Sequence, residues 1–324
     1  MDTVDAIPEK ALEWHRAGDG AVLATVVQTW GSAPRRVGSQ LAISGTGMIE
    51  GSVSGGCVEG AVIVEALEAL ETGELRELEF GVSDDDAFAV GLACGGTIRV
   101  LVEPVGAVMP EQLLEDLVAA RADRVPVAYV VDLDGSTRWL DRSGFADRFR
   151  MDRSGFEPDS RTFVAIHNPP LRLIVVGAVH IAQALLPMAR IAGYDPAIID
   201  PRETFGSEMR FPGERILHDW PDEAVDSLGL DTRTALVLLT HDPKLDDPAL
   251  ERALRSGCFY IGALGSTRTH AKRVARLQEA GFSEEDIGRI HAPIGLDIGA
   301  AGPSEIAVSI IAEMTRVLRR GPQA

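Results

Sequence analysis

Residues 171–182 read Leu171-Arg172-Leu173-Ile174-Val175-Val176-Gly177-Ala178-Val179-His180-Ile181-Ala182. A short apolar run ends at a glycine, and a helical pattern starts at once. This is the reading of a buried strand that turns tightly into a helix, the opening unit of a doubly wound sheet. A dinucleotide-binding turn wants G-x-G-x-x-G/A: a glycine for the turn, a glycine for close approach to pyrophosphate, and a small residue for packing. Gly177 and Ala182 fit the first and third places, whereas Val179 stands at the second and would crowd a pyrophosphate. Asp200 ends the next strand, where an acid can accept hydrogen bonds from a ribose diol. It also precedes Pro201, so a plain turn acid is the alternative reading. Two outcomes stay open: a fold that binds NAD(P), and the same fold with an altered ligand.

Toward the C-terminus, strands at 197–200, 235–240, 259–261 and near Ile290 alternate with helices at 179–192, 248–255, 267–280 and 303–319. That order is a Rossmann-type parallel sheet. Pro187 falls inside the first helix and predicts a kink. His180 and His241 fall at the carboxyl edge of this sheet, where either could donate to phosphate or act as an acid or base. Gly262, Gly265 and Ser266 precede a helix whose free N–H groups favour an anion. Arg268, Lys272 and Arg276 then repeat on one face, as a phosphate-binding stripe or as a solvated basic face.

Toward the N-terminus, Asn168-Pro169-Pro170 forces extended backbone and marks a boundary, giving domains at 1–168 and 169–324, with 106–168 a variable part. The first domain reads as mixed α+β. Strands are expected at 22–29, 40–44, 48–53 and 97–102, and a helix at 58–70 with Val58, Val62, Ala66 and Leu70 inward and Glu59, Glu65 and Glu68 outward. Further along, a helix at 112–122 and a strand at 125–131 are expected, followed by a polar segment holding DRSGF twice. Cys57 follows two glycines at a helix start, which would stabilise a thiolate, and Cys94 sits in an Ala-Cys-Gly-Gly turn. Their separation argues against a structural zinc site, and Cys258 reads as an ordinary buried residue.

The 324 residues carry 31 Lys+Arg against 49 Asp+Glu, a net charge of −18. That excludes non-specific binding to nucleic acid or to an anionic membrane surface, both of which need a basic face. No apolar run approaches the length of a membrane span. Three cysteines make no disulfide framework, and the N-terminus lacks a signal-peptide pattern, so the expected place is the cytoplasm. Residues 1–105 alone hold 6 basic and 17 acidic side chains. The acids between 65 and 86 read as a solvated face or as a docking patch.

The phrases Gly31-Ser32-Ala33-Pro34-Arg35, Gly51-Ser52-Val53-Ser54-Gly55-Gly56-Cys57-Val58-Glu59 and Gly91-Leu92-Ala93-Cys94-Gly95-Gly96 resemble the N-terminal domain of the XdhC/CoxI family. Gly177–Ala182, Thr240-His241-Asp242, residues 260–266 and residues 293–300 look like its Rossmann-type domain, in the same order. The resemblance implies a maturation factor for molybdenum hydroxylases such as xanthine dehydrogenase. Such a factor binds the molybdenum cofactor, in its molybdopterin or cytosine dinucleotide form, during sulfuration with a cysteine desulfurase. It then promotes insertion into the apo-enzyme, and a homodimer is expected. On this reading Cys57 and Cys94 would face the molybdenum as soft contacts or sulfur relays. Gly177, Val179, His180, Asp200, His241, Gly262, Gly265, Ser266 and Arg268 would hold the rest. The competing class is an NAD(P)-dependent oxidoreductase with His241 as acid/base.

Overall fold

Pro169 and Pro170 separate two units, Met1–Pro169 and Pro170–Ala324. The computed structural model describes residues 6–31, 33, 35–56, 58–81, 96–134 and 137–321.

The first unit runs α1 (Ile7–Ala17), β1 (Ala21–Trp30), β2 (Gln40–Ser44), β3 (Ile49–Gly51), α2 (Glu59–Thr72), β4 (Arg76–Phe80) and β5 (Thr97–Pro104). It continues with α3 (Glu111–Ala122), β6 (Val127–Asp132), β7 (Thr137–Asp141), α4 (Ala146–Met151), β8 (Gly155–Phe156) and β9 (Thr162–His167). Two antiparallel sheets result, ordered β3-β2-β1-β5-β4 and β7-β6-β9-β8. The β-branched and apolar run of β1 is covered on both faces, as its alternation requires. Leu23 and Val27 join a core with α1 and α3, while Val22, Ala24 and Val26 meet Val62 and Ala66 of α2. The segment between 137 and 167, which showed little pattern, supplies the second sheet's remaining strands. Its DRSGF echo has two different fates. Residues 141–145 lead from the end of β7 into α4, and residues 152–156 lead from α4 into β8.

The second unit runs β10 (Leu171–Val176), α5 (His180–Ile191), β11 (Tyr194–Ile199), β12 (Arg215–Leu217), α6 (Pro221–Leu228), β13 (Thr234–Leu238) and α7 (Pro243–Leu254). Then follow β14 (Tyr260–Ala263), α8 (Thr267–Glu279), α9 (Glu284–Ile287), β15 (Ile290–His291) and α10 (Pro303–Arg320). The sheet order is β12-β11-β10-β13-β14-β15, with every pairing parallel. This is the doubly wound Rossmann arrangement expected from residues 171–182. Leu173 and Val175 face α5 and α10, and Ile174 and Val176 face α6 and α7. One helix differs from its expected start at 248. Asp242 accepts from Lys244 N at 3.0 Å and caps α7, with Pro243 at its first turn, so Pro248 lies inside the helix. Among the described residues no helix is long and apolar enough to cross a membrane.

Candidate functional site

Strand order reverses between β10 and β13, so ligands of such a sheet meet the residues just beyond those two strands. Gly177 makes the first turn. Its φ is +110°, and a Cβ there would lie 2.7 Å from Thr240 Cγ2, so only glycine fits. Val179 begins α5 with extended backbone, and its side chain packs against the core under the sheet. His180 is exposed at the first helical position. Among the described residues no side chain caps α5, so its leading N–H groups stay open.

Asp200 does something other than wait for a ribose. It is fully buried, and its carboxylate accepts from Ala178 N at 2.9 Å, Arg202 N at 3.0 Å, and Arg202 Nε and Nη2 at 2.8 Å each. Burial pushes its pKa up, but Arg202 and the Ala178 amide outweigh that and hold the group ionised. Asp200 thus pins the Gly177-Ala178 turn to Arg202, whose guanidinium lies 4.2 Å over the Phe205 ring. Arg210 donates to Ala178 O at 2.8 Å from the other side.

Beyond β13, His241 is exposed and holds a positive φ of +63°, unusual for a residue with a side chain. Thr240 Oγ1 donates to Asp246 Oδ1 at 2.6 Å and accepts from Asp242 N at 3.1 Å, which fixes the loop carrying His241. Asp246 is 2% exposed, and burial pushes its pKa up against Thr240 and Arg273. Arg273, also 2% exposed, approaches Asp246 at 3.7 Å and donates to Leu264 O at 3.2 Å. Its Nε and Nη1 have no partner among the described residues. This buried arginine ties the loops after β13 and β14 together. The spacing of the basic residues gives no sign of it, because Arg273 lies off the stripe of residues 268, 272 and 276, about 100° around α8 from Lys272.

The loop after β14 is shorter than expected. Gly262 lies within β14, paired with Val237 and His291, and a Cβ there would meet Ile294 at 2.5 Å and Tyr260 at 2.6 Å. It serves the packing of the sheet, a correction to its placement in an anion-cradling loop. Gly265 and Ser266 do precede α8, with Ser266 Oγ accepting from Thr269 N at 3.2 Å. Arg268 and Lys272 are exposed on α8, with no ion pair among the described residues. Arg276 is not part of a free stripe, because it makes two hydrogen bonds to Asp247, of 2.5 and 2.9 Å. Glu313 of α10, unremarked in the sequence, accepts from Tyr260 Oη at 2.7 Å and Gly295 N at 2.8 Å, fixing the loop after β15.

In the first unit, Cys57 and Cys94 lie outside the described residues. The loop leading to Cys57 is described, and it reverses one expectation. Glu59 does not face out: it is 8% exposed and turns back onto residues 52–56. It accepts from Ser52 Oγ at 2.7 Å, Val53 N at 3.2 Å, Ser54 N at 2.9 Å, Gly55 N at 3.1 Å and Gly56 N at 2.8 Å, and also from Ser54 Oγ. Burial alone would raise its pKa, but the serine hydroxyls and backbone amides bring it down to about 2. Glu65 and Glu68 flank Arg76, which donates to them at 2.6 and 2.8 Å. Part of the acidic excess is therefore neutralised in place.

Comparison with known proteins bears on the whole chain. The family model described as the XdhC Rossmann domain matches residues 173–314, and that of the XdhC and CoxI family matches residues 14–81. The molybdenum cofactor insertion chaperone PaoD of Escherichia coli K12 is 34% identical over 307 residues, 95% of this chain and 86% of its own length. A probable xanthine dehydrogenase component of Bacillus subtilis 168 is 28% identical, covering 93% of this chain and 94% of its own. A crystal structure described as a xanthine dehydrogenase from Bacillus halodurans superposes with a TM-score of 0.61 and 26% identity, over 98% of this chain and 97% of the other. Shared sequence and shared fold agree: the chain belongs to the XdhC and CoxI family.

Proposed function

We propose that this protein is a molybdenum cofactor insertion chaperone that holds its cargo during sulfuration and delivers it to a molybdenum hydroxylase of the xanthine dehydrogenase type. The observation that carries the reading is the 34% identity to PaoD along nearly the whole of this chain. The sheet edge supports it. The acid that would bind a nicotinamide ribose is consumed inside the fold, and a valine replaces the second glycine. Exposed Arg268 and Lys272 nevertheless stand beside the start of α8, which suits the phosphate of a cargo better than a nicotinamide dinucleotide. On this reading Gly265, Ser266 and Arg268 receive the phosphate end, with His180 and His241 within the same edge. Cys57 and Cys94 are the candidate sulfur contacts to the metal, since thiolates suit a thiophilic centre. A cysteine desulfurase supplies the sulfur, in the cytoplasm.

The test is co-expression with cofactor biosynthesis, purification, and assay of molybdenum and of oxidised-pterin fluorescence. Near-stoichiometric pterin that is strongly reduced in Arg268→Ala supports the proposal. Absence of pterin together with saturable NAD(P)H binding by calorimetry would replace it with the oxidoreductase reading.

A further inference from the structure

The first unit contains a cavity of about 440 Å³, within the range of small-molecule sites. Its wall is built from the β1–β2 connection, Ser52, α3 and the residues around the ends of β8 and β9. Three of the lining side chains are arginines, Arg35, Arg36 and Arg121, and one is a carboxylate, Asp152. Arg121 is ion-paired with Glu9 at 2.6 Å, so the lining cations without an ion pair among the described residues are Arg35 and Arg36, in a unit where 14 basic side chains face 28 acidic ones. Arg35 and Arg36 are exposed.

The wall also holds unmatched polar atoms. His167 is 7% exposed, and its Nε2 has no hydrogen-bond partner among the described residues; the same is true of Asn168 Oδ1 beside it. Arg121 Nη1 lies 3.5 Å from His167 Nδ1. A guanidinium can only donate, so this contact favours the tautomer that carries its proton on Nε2. Burial, reinforced by the Arg121 charge, pushes the imidazole down to about 3, so the ring is neutral at ordinary pH. The wall is otherwise well satisfied: Ser154 Oγ accepts from Ile166 N at 3.0 Å, and Asn168 Nδ2 donates to Phe149 O at 2.8 Å. Buried polar atoms in native proteins are nearly always paired, so a neighbouring unpaired donor and acceptor point to a missing polar partner.

We propose that this cavity binds a phosphate monoester, with Arg35 and Arg36 engaging the oxyanion, His167 Nε2–H as a further donor, and Asn168 Oδ1 accepting from a hydroxyl or amino group of the molecule that bears it. The site belongs to the first unit, whereas the sheet-edge site of the cargo reading belongs to the second. Free inorganic phosphate offers the same charge and lacks the group that Asn168 would hold.

The experiment is calorimetric titration of the full chain, in an Arg268→Ala background that silences the sheet-edge site, with inorganic phosphate and with cytidine monophosphate. Saturable binding of the monoester is expected, falling roughly tenfold or more in Arg35→Glu/Arg36→Glu through loss of charge-assisted hydrogen bonds. Both replaced side chains are exposed, and an unchanged thermal melt verifies that the variant is folded. Equal affinity for phosphate and monoester supports the oxyanion site but overturns the part assigned to Asn168. No saturable binding of either probe, or binding that Arg35→Glu/Arg36→Glu leaves intact, overturns the proposal.

Discussion

Glu59 shows how much one carboxylate can organise. Its folded pKa, about 2, lies below the ordinary 4.5. Its contribution is therefore present in full above the unfolded value and is lost as pH falls from about 4.5 toward 2. The linked stability, discounted for solvent screening, is about 2–3 kcal/mol. Glu59→Gln, which presents an amide to inward-pointing donors, is expected to destabilise the chain by about 2–3 kcal/mol at neutral pH. Urea midpoints should show this gap narrowing as pH falls from 5 to 3; a gap independent of pH would contradict the assignment. At Gly177, alanine would meet both an unfavourable φ and the Thr240 methyl. A loss of about 1–3 kcal/mol is expected, read as a lower melting temperature. Helical periodicity gave Glu59 the wrong direction. Position 59 is the first residue of α2, where a side chain can fold back over the preceding loop instead of following the stripe.

At the scale of elements, the Rossmann strands were legible because a buried parallel strand is a continuous apolar run. Thus β10 begins and ends where residues 171–176 said it would. The short pieces were not: β12 spans three residues and α6 eight, too few for either period to register. Nor does a strand announce which glycine serves its packing, as Gly262 shows. The loops beyond β13 and β14 are joined by Asp246 and Arg273, a buried pair that no periodicity reveals. Arg273→Met alone strands a buried carboxylate and should cost about 3–5 kcal/mol. Asp246→Leu/Arg273→Met should cost less than the sum of the two single variants, by about 1–3 kcal/mol in a denaturation cycle. Strict additivity would show that the two groups do not sense each other.

For the whole molecule, each unit has its own apolar cores, drawn from its own residues. The fragment 170–324 is therefore expected to fold alone, with a single cooperative thermal transition by circular dichroism; a non-cooperative melt would show that the first unit is needed for its stability. The net charge of −18 conceals two local exceptions, the exposed Arg268 and Lys272 on α8 and the arginines of the first unit's cavity. Composition could reveal the former as a stripe. It could not reveal the latter, because Arg35, Arg121 and His167 come from distant parts of the chain. The loop closed by Glu59 has a further consequence for timing. Residues 53–56 spend their amides, and Ser52 its hydroxyl, on an internal anion during folding, so the ordering entropy of that segment, roughly 1–2 kcal/mol per residue, is settled before any guest arrives. A guest meeting this loop encounters a stiff, electrically quenched surface, and its association should proceed without a slow rearrangement of residues 52–56.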